Sequence, residues 1–232
     1  MNIIITGASK GLGKAIAERF AKAGNTLFVC SRNEVQLYKM MEELSAKYPQ
    51  SAVKAKPADM SIKQAVREFA IWCMEFGTPD IIVNNAGQFL PGNVHSEEEG
   101  VLEKLIEANL YGAYHLTRLL LPKMMEAKSG HIFNMCSVAA VKAYDNGGAY
   151  SISKFALLGF SKNLREEMKP YNIKVTAVIP GAAYTDSWSS SGIDPKRFME
   201  ATDVAEMIYA ASQLSVQACV EEILLRPQLG DI

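Results

Sequence analysis

Short apolar runs alternate along this chain with longer segments whose apolar residues recur at helical spacing. Residues 2–6 (Asn-Ile-Ile-Ile-Thr) predict a strand, and the periodicity from Leu12 to Ala23 predicts a helix ended by Gly24-Asn25. Strand 26–30 and helix 33–48 follow, the latter stopped by Pro49. A weaker strand near 52–56, a helix after Ser61 and a strong strand at Ile81–Asn84 complete the first half. The second half predicts helices over 98–109 and 112–128, strand 131–136, helix 149–169 and strand 173–178. A helix after Asp203 and a last strand near 220–225 close it. Parallel strands need crossover connections, so this alternation predicts an α/β fold with a parallel sheet covered on both faces. No repeat, linker or low-complexity tract interrupts it, which predicts one domain over 1–232.

Composition adds mainly exclusions. In 232 residues, 49% are hydrophobic and 21% charged, as in an ordinary soluble globule, and the formal net charge of −1 offers no electrostatic case for nucleic acid or a membrane surface. The cysteines at 30, 73, 136 and 219 lack CxxC spacing and lie among apolar neighbours, so they read as buried thiols in a reducing compartment. The three histidines are scattered, and no metal site is expected. A strand that starts at the second residue leaves no room for a leader, and no apolar run reaches the length of a membrane span. The expected location is cytoplasmic.

The first strand opens onto its helix through Thr6-Gly7-Ala8-Ser9-Lys10-Gly11-Leu12-Gly13. Glycines permit close backbone approach, and a helix N-terminus offers N–H groups and positive potential to a phosphate. At the first turn of an α/β sheet this is the place for a dinucleotide pyrophosphate. The spacing Gly-x-x-x-Gly-x-Gly differs from Gly-x-Gly-x-x-Gly. A P-loop is excluded because Ala8 and Ala15 stand where it needs glycine and a hydroxyl. Gly7-Ala8-Ser9-Lys10-Gly11 also fits a hydrolase nucleophile elbow, but only six residues precede it, too few for the oxyanion loop that fold requires. A purely structural glycine turn stays open.

Where a carboxylate would meet the ribose 2′-hydroxyl of NAD, the second strand ends in Ser31-Arg32. A serine can donate to a 2′-phosphate and a guanidinium can bind it bidentately, with Lys10 near the same region, so NADP(H) is favoured over NAD(H). Ser137 ends the strand before Tyr150, thirteen residues on, and Lys154 stands one helical turn beyond Tyr150. Tyrosine has a reference pKa near 10, and one ammonium about 4 Å away supplies the ~4 kcal/mol needed to bring it toward 7. By itself such a pair is an ordinary helix surface.

The set Thr6-Gly-x-x-x-Gly-x-Gly13, Asn84-Asn85-Ala86-Gly87, Ser137, Tyr150-x-x-x-Lys154 and Pro180-Gly181, in this order, resembles the short-chain dehydrogenase/reductase family over nearly the whole chain. The resemblance implies a Rossmann-like, doubly wound sheet of about seven strands in the order 3-2-1-4-5-6-7. It implies that Tyr150 is the general acid in reduction, that Lys154 lowers its pKa and binds the nicotinamide ribose, and that Ser137 holds the substrate carbonyl oxygen. Asn109 matches the asparagine that anchors a relay water, at a slightly long offset from Ser137. Asp59-Met60 matches the adenine-recognising pair and Asn85-Ala86-Gly87 the adenosine-side wall. Pro180, Gly181, Ala183 and Thr185 fall on the nicotinamide segment, and Gly7, Ser9, Lys10, Gly11, Leu12 and Gly13 on the phosphate turn.

Candidate substrate residues are Gln88, Phe89, Val138, Tyr144, Tyr184 and Trp188, the last two in a lid over about 182–200. The expected function is NADPH-dependent reduction of a ketone or aldehyde by a homodimer or homotetramer; the alternative is a non-catalytic NADP(H) sensor or scaffold. The end of the chain, Glu221 to Ile232, lacks the glycine-rich tail of acyl-carrier-protein reductases, which weakens a direct link to fatty-acid synthesis.

Overall fold

The computed structural model describes residues 1–185 and 192–232. Seven parallel strands form one sheet: β1 Asn2–Thr6, β2 Thr26–Cys30, β3 Ala52–Ala55, β4 Ile81–Asn84, β5 Gly130–Met135, β6 Ile173–Pro180 and β7 Glu222–Leu225. Their order is β3-β2-β1-β4-β5-β6-β7, as expected. β1 is an inner strand, with Ile4 in register with Phe28 on one side and Ile82 on the other.

The continuous apolar runs follow from burial on both faces. Ile3, Ile5, Leu27, Val29, Ile81 and Val83 face a core shared with α1 (Gly11–Lys22), α2 (Glu34–Lys47) and α7 (Ala201–Ser212). Their neighbours Ile4, Phe28, Ile82 and Ile132 face the opposite core, shared with α3 (Lys63–Met74), α5 (Gly112–Ala127) and α6 (Gly148–Met168). Period-2 alternation thus survives inside strands that look uniformly apolar.

Two differences from the sequence pattern have a clear physical reason. The helices expected over 98–109 and 112–128 are one continuous run: α4 (Val101–Ile106) passes through a π turn, Glu107–Tyr111, into α5. Gly112 is no break; a Cβ there would stand 2.5 Å from the Met60 carbonyl oxygen, so the glycine serves close approach to the loop after β3. α7 begins at Ala201 rather than after Asp203, because Glu200 and Asp203 form a reciprocal capping box.

Behind the carboxyl ends of β4 and β5 lies a buried polar network. Asn84 donates to Asn134 (2.8 Å) and Thr117 (3.0 Å), and Asn134 donates to Ser161 (2.9 Å). It joins β4, β5, α5 and α6 at one depth. No helix among the described residues is long and apolar enough to cross a membrane.

His131, on β5, is buried with its Nε2 2.7 Å from Thr176 Oγ1 and its ring stacked on Phe133. Burial pulls its pKa down to about 3. Between the ordinary value near 6.5 and about 3, the unfolded chain takes a proton that the folded one refuses. Stability therefore falls as pH drops through that window, by about 3 kcal/mol at pH 4. Urea midpoints from pH 7 to pH 4 should fall steeply for the wild type and by distinctly less for His131→Leu; parallel slopes would refute this origin.

Candidate active site

The site grows from the junction of β1 and β4. Thr6 Oγ1, at the end of β1, accepts from the backbone N–H groups of Asn85 (3.0 Å) and Ala86 (2.9 Å). The Asn85 amide donates back to the carbonyls of Thr6 and Gly7, at 2.9 and 3.0 Å. Gly7 has φ +65°, and a Cβ on it would lie 2.9 Å from Ala86 Cα, so the approach requires glycine. A Cβ on Gly13 would collide with the Gly7 carbonyl, which fixes how closely α1 meets the turn. The side chain of Lys10, the N-cap residue, does not cap α1. The helix thus meets the cleft with its N-terminal dipole end, the requirement for a phosphate cradle.

From this turn a cleft of about 760 Å³ runs across the carboxyl edge of the sheet. The glycine turn, Ser31, Arg32, Asp59 and Met60 frame one end; Ser137, Val138, Tyr144, Tyr150 and Lys154 frame the other. Asn85, Ala86 and Gly87 form the floor between them. Pro180, Gly181, Ala183 and Thr185 close it from the β6 side, with Thr185 packed over Gly11. Ser31 is turned inward, donating to the Asn33 carbonyl at 3.2 Å, whereas Arg32 is exposed. Asp59 accepts from the Ser61 N–H (2.9 Å) and hydroxyl (2.7 Å), so its carboxylate shapes the turn that presents it.

At the other end, Ser137 starts a single 3₁₀ turn, Val138–Ala140, and its Oγ accepts from the Ala139 N–H at 3.1 Å. Ser151, in the first turn of α6, donates to the Ala139 carbonyl at 2.6 Å. That bond draws α6 against the end of β5 and brings the Tyr150 hydroxyl near Ser137. Lys154 is 6% exposed and donates to the Met135 carbonyl at 2.8 Å. Gly87 leaves it room: a Cβ there would stand 3.5 Å from Nζ.

The electrostatics depart from expectation in one respect. Burial pushes the Tyr150 pKa up, and the nearby Ser137 hydroxyl only partly offsets this. The expected lowering by Lys154 is not seen, because Nζ points to Met135 and lies 5.8 Å from the tyrosine ring centroid. Burial also takes Lys154 down to about 8. In this state Tyr150 is a protonated donor.

Asn109 lies in the π turn, outside the cleft wall. Its Oδ1 accepts from the Gln88 N–H at 2.7 Å, and its Nδ2 donates to the Gln88 carbonyl (3.0 Å) and Ser153 Oγ (2.9 Å). Its amide is therefore spent on holding the floor loop to α6. The Gln88 side-chain amide faces the Arg32 guanidinium, and its oxygen accepts from Arg32 when the amide is turned to put oxygen rather than nitrogen toward the cation. Phe89 stands edge-on to Tyr150, ring centroids 4.8 Å apart. Tyr184 packs on Phe198 instead of lining the cleft, and Trp188 and part of the expected lid lie outside the described residues. Gln36, Lys142, Asp231 and Ile232 also line the cleft. No local motif marks them; only the path of the chain brings them there.

Residues 1–196 match the short chain dehydrogenase family, so the chain belongs to that family of oxidoreductases. A sepiapterin reductase of Chlorobaculum tepidum is 34% identical over 99% of this chain and 97% of its own length. Among solved structures, a metagenomic short-chain oxidoreductase in complex with NADP aligns with TM-score 0.85 at 29% identity, covering 98% of this chain and 97% of the other. The alcohol dehydrogenase of Thermococcus sibiricus, complexed with 5-hydroxy-NADP, aligns with TM-score 0.90 at 26% identity over 98% of this chain and 96% of its own.

Charging Lys154 inside the protein costs stability below about pH 8, and the cost vanishes above pH 10.5, where the unfolded chain also loses the proton. Lys154→Met should therefore raise stability by about 1–3 kcal/mol at pH 7, with the advantage shrinking between pH 8 and 10.5. Melting temperatures across that range check it; a less stable variant at pH 7 would contradict it.

Proposed function

We propose that this chain is an NADP(H)-dependent reductase that converts a ketone or aldehyde to an alcohol, reversibly. The observation that carries this reading is the convergence of Ser137, Tyr150 and Lys154 at one end of a cleft whose other end holds the glycine turn and Arg32. The fit to a dinucleotide rests on the glycine cradle, where Gly7, Gly11 and Gly13 leave space that side chains would fill. A cation rather than a carboxylate follows β2, which supports NADP(H) over NAD(H), and relatives solved with NADP-type ligands agree with it.

A bound nicotinamide cofactor supplies the hydride. The protein orients the reactants and handles the proton. The hydroxyls of Ser137 and Tyr150 hold the substrate carbonyl oxygen where negative charge develops, and Tyr150 gives that oxygen its proton. A tyrosine kept protonated by burial suits the reductive direction. Lys154 supplies positive charge behind it and a donor toward the cofactor ribose. Asn109 fixes Gln88 and Ser153 through its amide, beside the relay water that the family resemblance assigns to it. Phe89, Val138 and Tyr144 would contact the substrate. The reading includes a cytoplasmic location and a homo-oligomer; exposed Tyr111 at the end of the π turn and Ile152 and Phe155 on α6 support the oligomer, which light scattering would read.

NADPH oxidation followed across ketones, aldehydes, acyl thioesters and sepiapterin tests the reading directly. Turnover of at least one carbonyl is expected; none across the panel would overturn it. Tyr150→Phe should lose at least a hundredfold in kcat while still binding NADPH. An unchanged rate would remove tyrosine from the chemistry. Arg32→Ala should weaken NADPH binding about ten- to hundredfold and NADH binding less than threefold. Equal losses would sink the cofactor assignment.

A further inference from the structure

α6 carries Tyr150 in its first turn, but its own N-terminal residue supplies no side-chain cap: Gly147 stands there. The cap comes from another segment. The Glu97 carboxylate, from the loop between β4 and α4, accepts from the Ala149 N–H at 2.9 Å through Oε1 and 3.2 Å through Oε2. Ala149 is the residue immediately before Tyr150.

The surroundings are built to admit this carboxylate. A Cβ on Gly92 would stand 2.7 Å from Glu97 Cγ, and one on Gly148 would collide with the carboxylate itself. Gly148 also has φ +32°, a conformation that side chains rarely adopt. The same two loops are laced together beside the cap. Asn93 and Asn146 exchange hydrogen bonds, with Asn146 N–H to Asn93 Oδ1 at 3.0 Å and Asn93 Nδ2 to Asn146 Oδ1 at 3.0 Å. The Gly92 N–H donates to the Asn146 carbonyl at 3.1 Å. One of these loops brings Phe89 against the Tyr150 ring; the other carries Lys142 and Tyr144 into the cleft.

We propose that Glu97 is a positioning residue for the reaction: by capping α6 from the opposite wall of the cleft, it fixes Tyr150 against Ser137 and locks the two substrate-facing loops together. A carboxylate accepting backbone N–H bonds at a helix N-terminus restrains the first turn and is favoured by the helix dipole. Without it the first turn frays, and Tyr150 lies within that turn. A shift of the order of 1 Å in a proton donor can cost about a hundredfold in rate. The glycine turn and Arg32 lie outside α6 and the two loops that the cap joins, so NADPH affinity should change little.

This placement rests on the reductase reading, and its test keeps the two apart. The intact chain, Glu97→Ala and Glu97→Gln are compared with a carbonyl that the wild type reduces. Glu97→Ala should lower kcat about ten- to hundredfold at a temperature well below its melting point, with the Kd for NADPH within twofold of wild type. Glu97→Gln, whose amide oxygen can still accept from Ala149, should recover most of the loss. In parallel, hydrogen exchange at the Ala149 amide should be about tenfold faster or more in Glu97→Ala and near wild type in Glu97→Gln. Unchanged kcat in Glu97→Ala, a Gln variant as impaired as Ala, or equal losses of kcat and NADPH affinity would each overturn the positioning role. If the wild type reduces no carbonyl, the reductase reading and the catalytic part of this proposal fail together. The exchange result then judges the cap alone, and Ala149 exchanging equally fast in all three proteins would overturn that as well.

Discussion

The backbones at the ends of β1 and β4 must come close enough for one threonine hydroxyl to serve two amides, and the site depends on that approach. Thr6 Oγ1 takes the N–H groups of Asn85 and Ala86, while Asn85 returns two bonds to the carbonyls that follow β1. These groups lie where the sheet ends and would otherwise need water. Only glycine fits at positions 7 and 13, because a Cβ at either would strike the backbone facing it. The close approach that satisfies those polar groups also leaves the smooth concave surface a dinucleotide backbone requires.

A second closure forms at the far end of the cleft and works by the same logic. Ser151 binds the Ala139 carbonyl, Lys154 binds the Met135 carbonyl, and Asn109 clamps Gln88 and Ser153. These bonds tie α6 and the π turn to each other, to the end of β5 and the turn after it, and to the floor loop. The Asn84–Asn134–Ser161 chain does so one layer deeper. Rigid elements thus hold the donor and the buried cation, while loops 88–100 and 141–147 form the rest of the wall. The burial that fixes Tyr150 and Lys154 also shifts both toward their neutral forms, so placement and protonation state have one cause.

What the chain spells locally was legible in advance. Alternating apolar runs and helical periods give the strands and helices, and the spacing of Gly7, Gly11, Gly13, Ser137, Tyr150 and Lys154 marks the chemical positions. The glycine residues could be read because their reason is local: a positive φ or a close approach at a turn. The helix boundary near residue 110 was not, because a π turn leaves the apolar period almost intact and Gly112 looks like a stop when it is a contact with Met60.

The sequence by itself therefore determined the order of elements, the parallel sheet and the residue types that meet at its carboxyl edge, since these follow from periodicity and turn chemistry along the chain. Tertiary structure alone decided which distant groups complete the site. Glu97 reaches the first turn of α6 across more than fifty residues of chain, and Arg32 meets Gln88 across the cleft. Asp231 comes to the cleft from the far end of the sequence. It also decided the direction of the Tyr150 pKa, because a helical spacing of four places Lys154 on the same face but does not say where its ammonium points. That is set by the Met135 carbonyl, the acceptor that a buried ammonium must find.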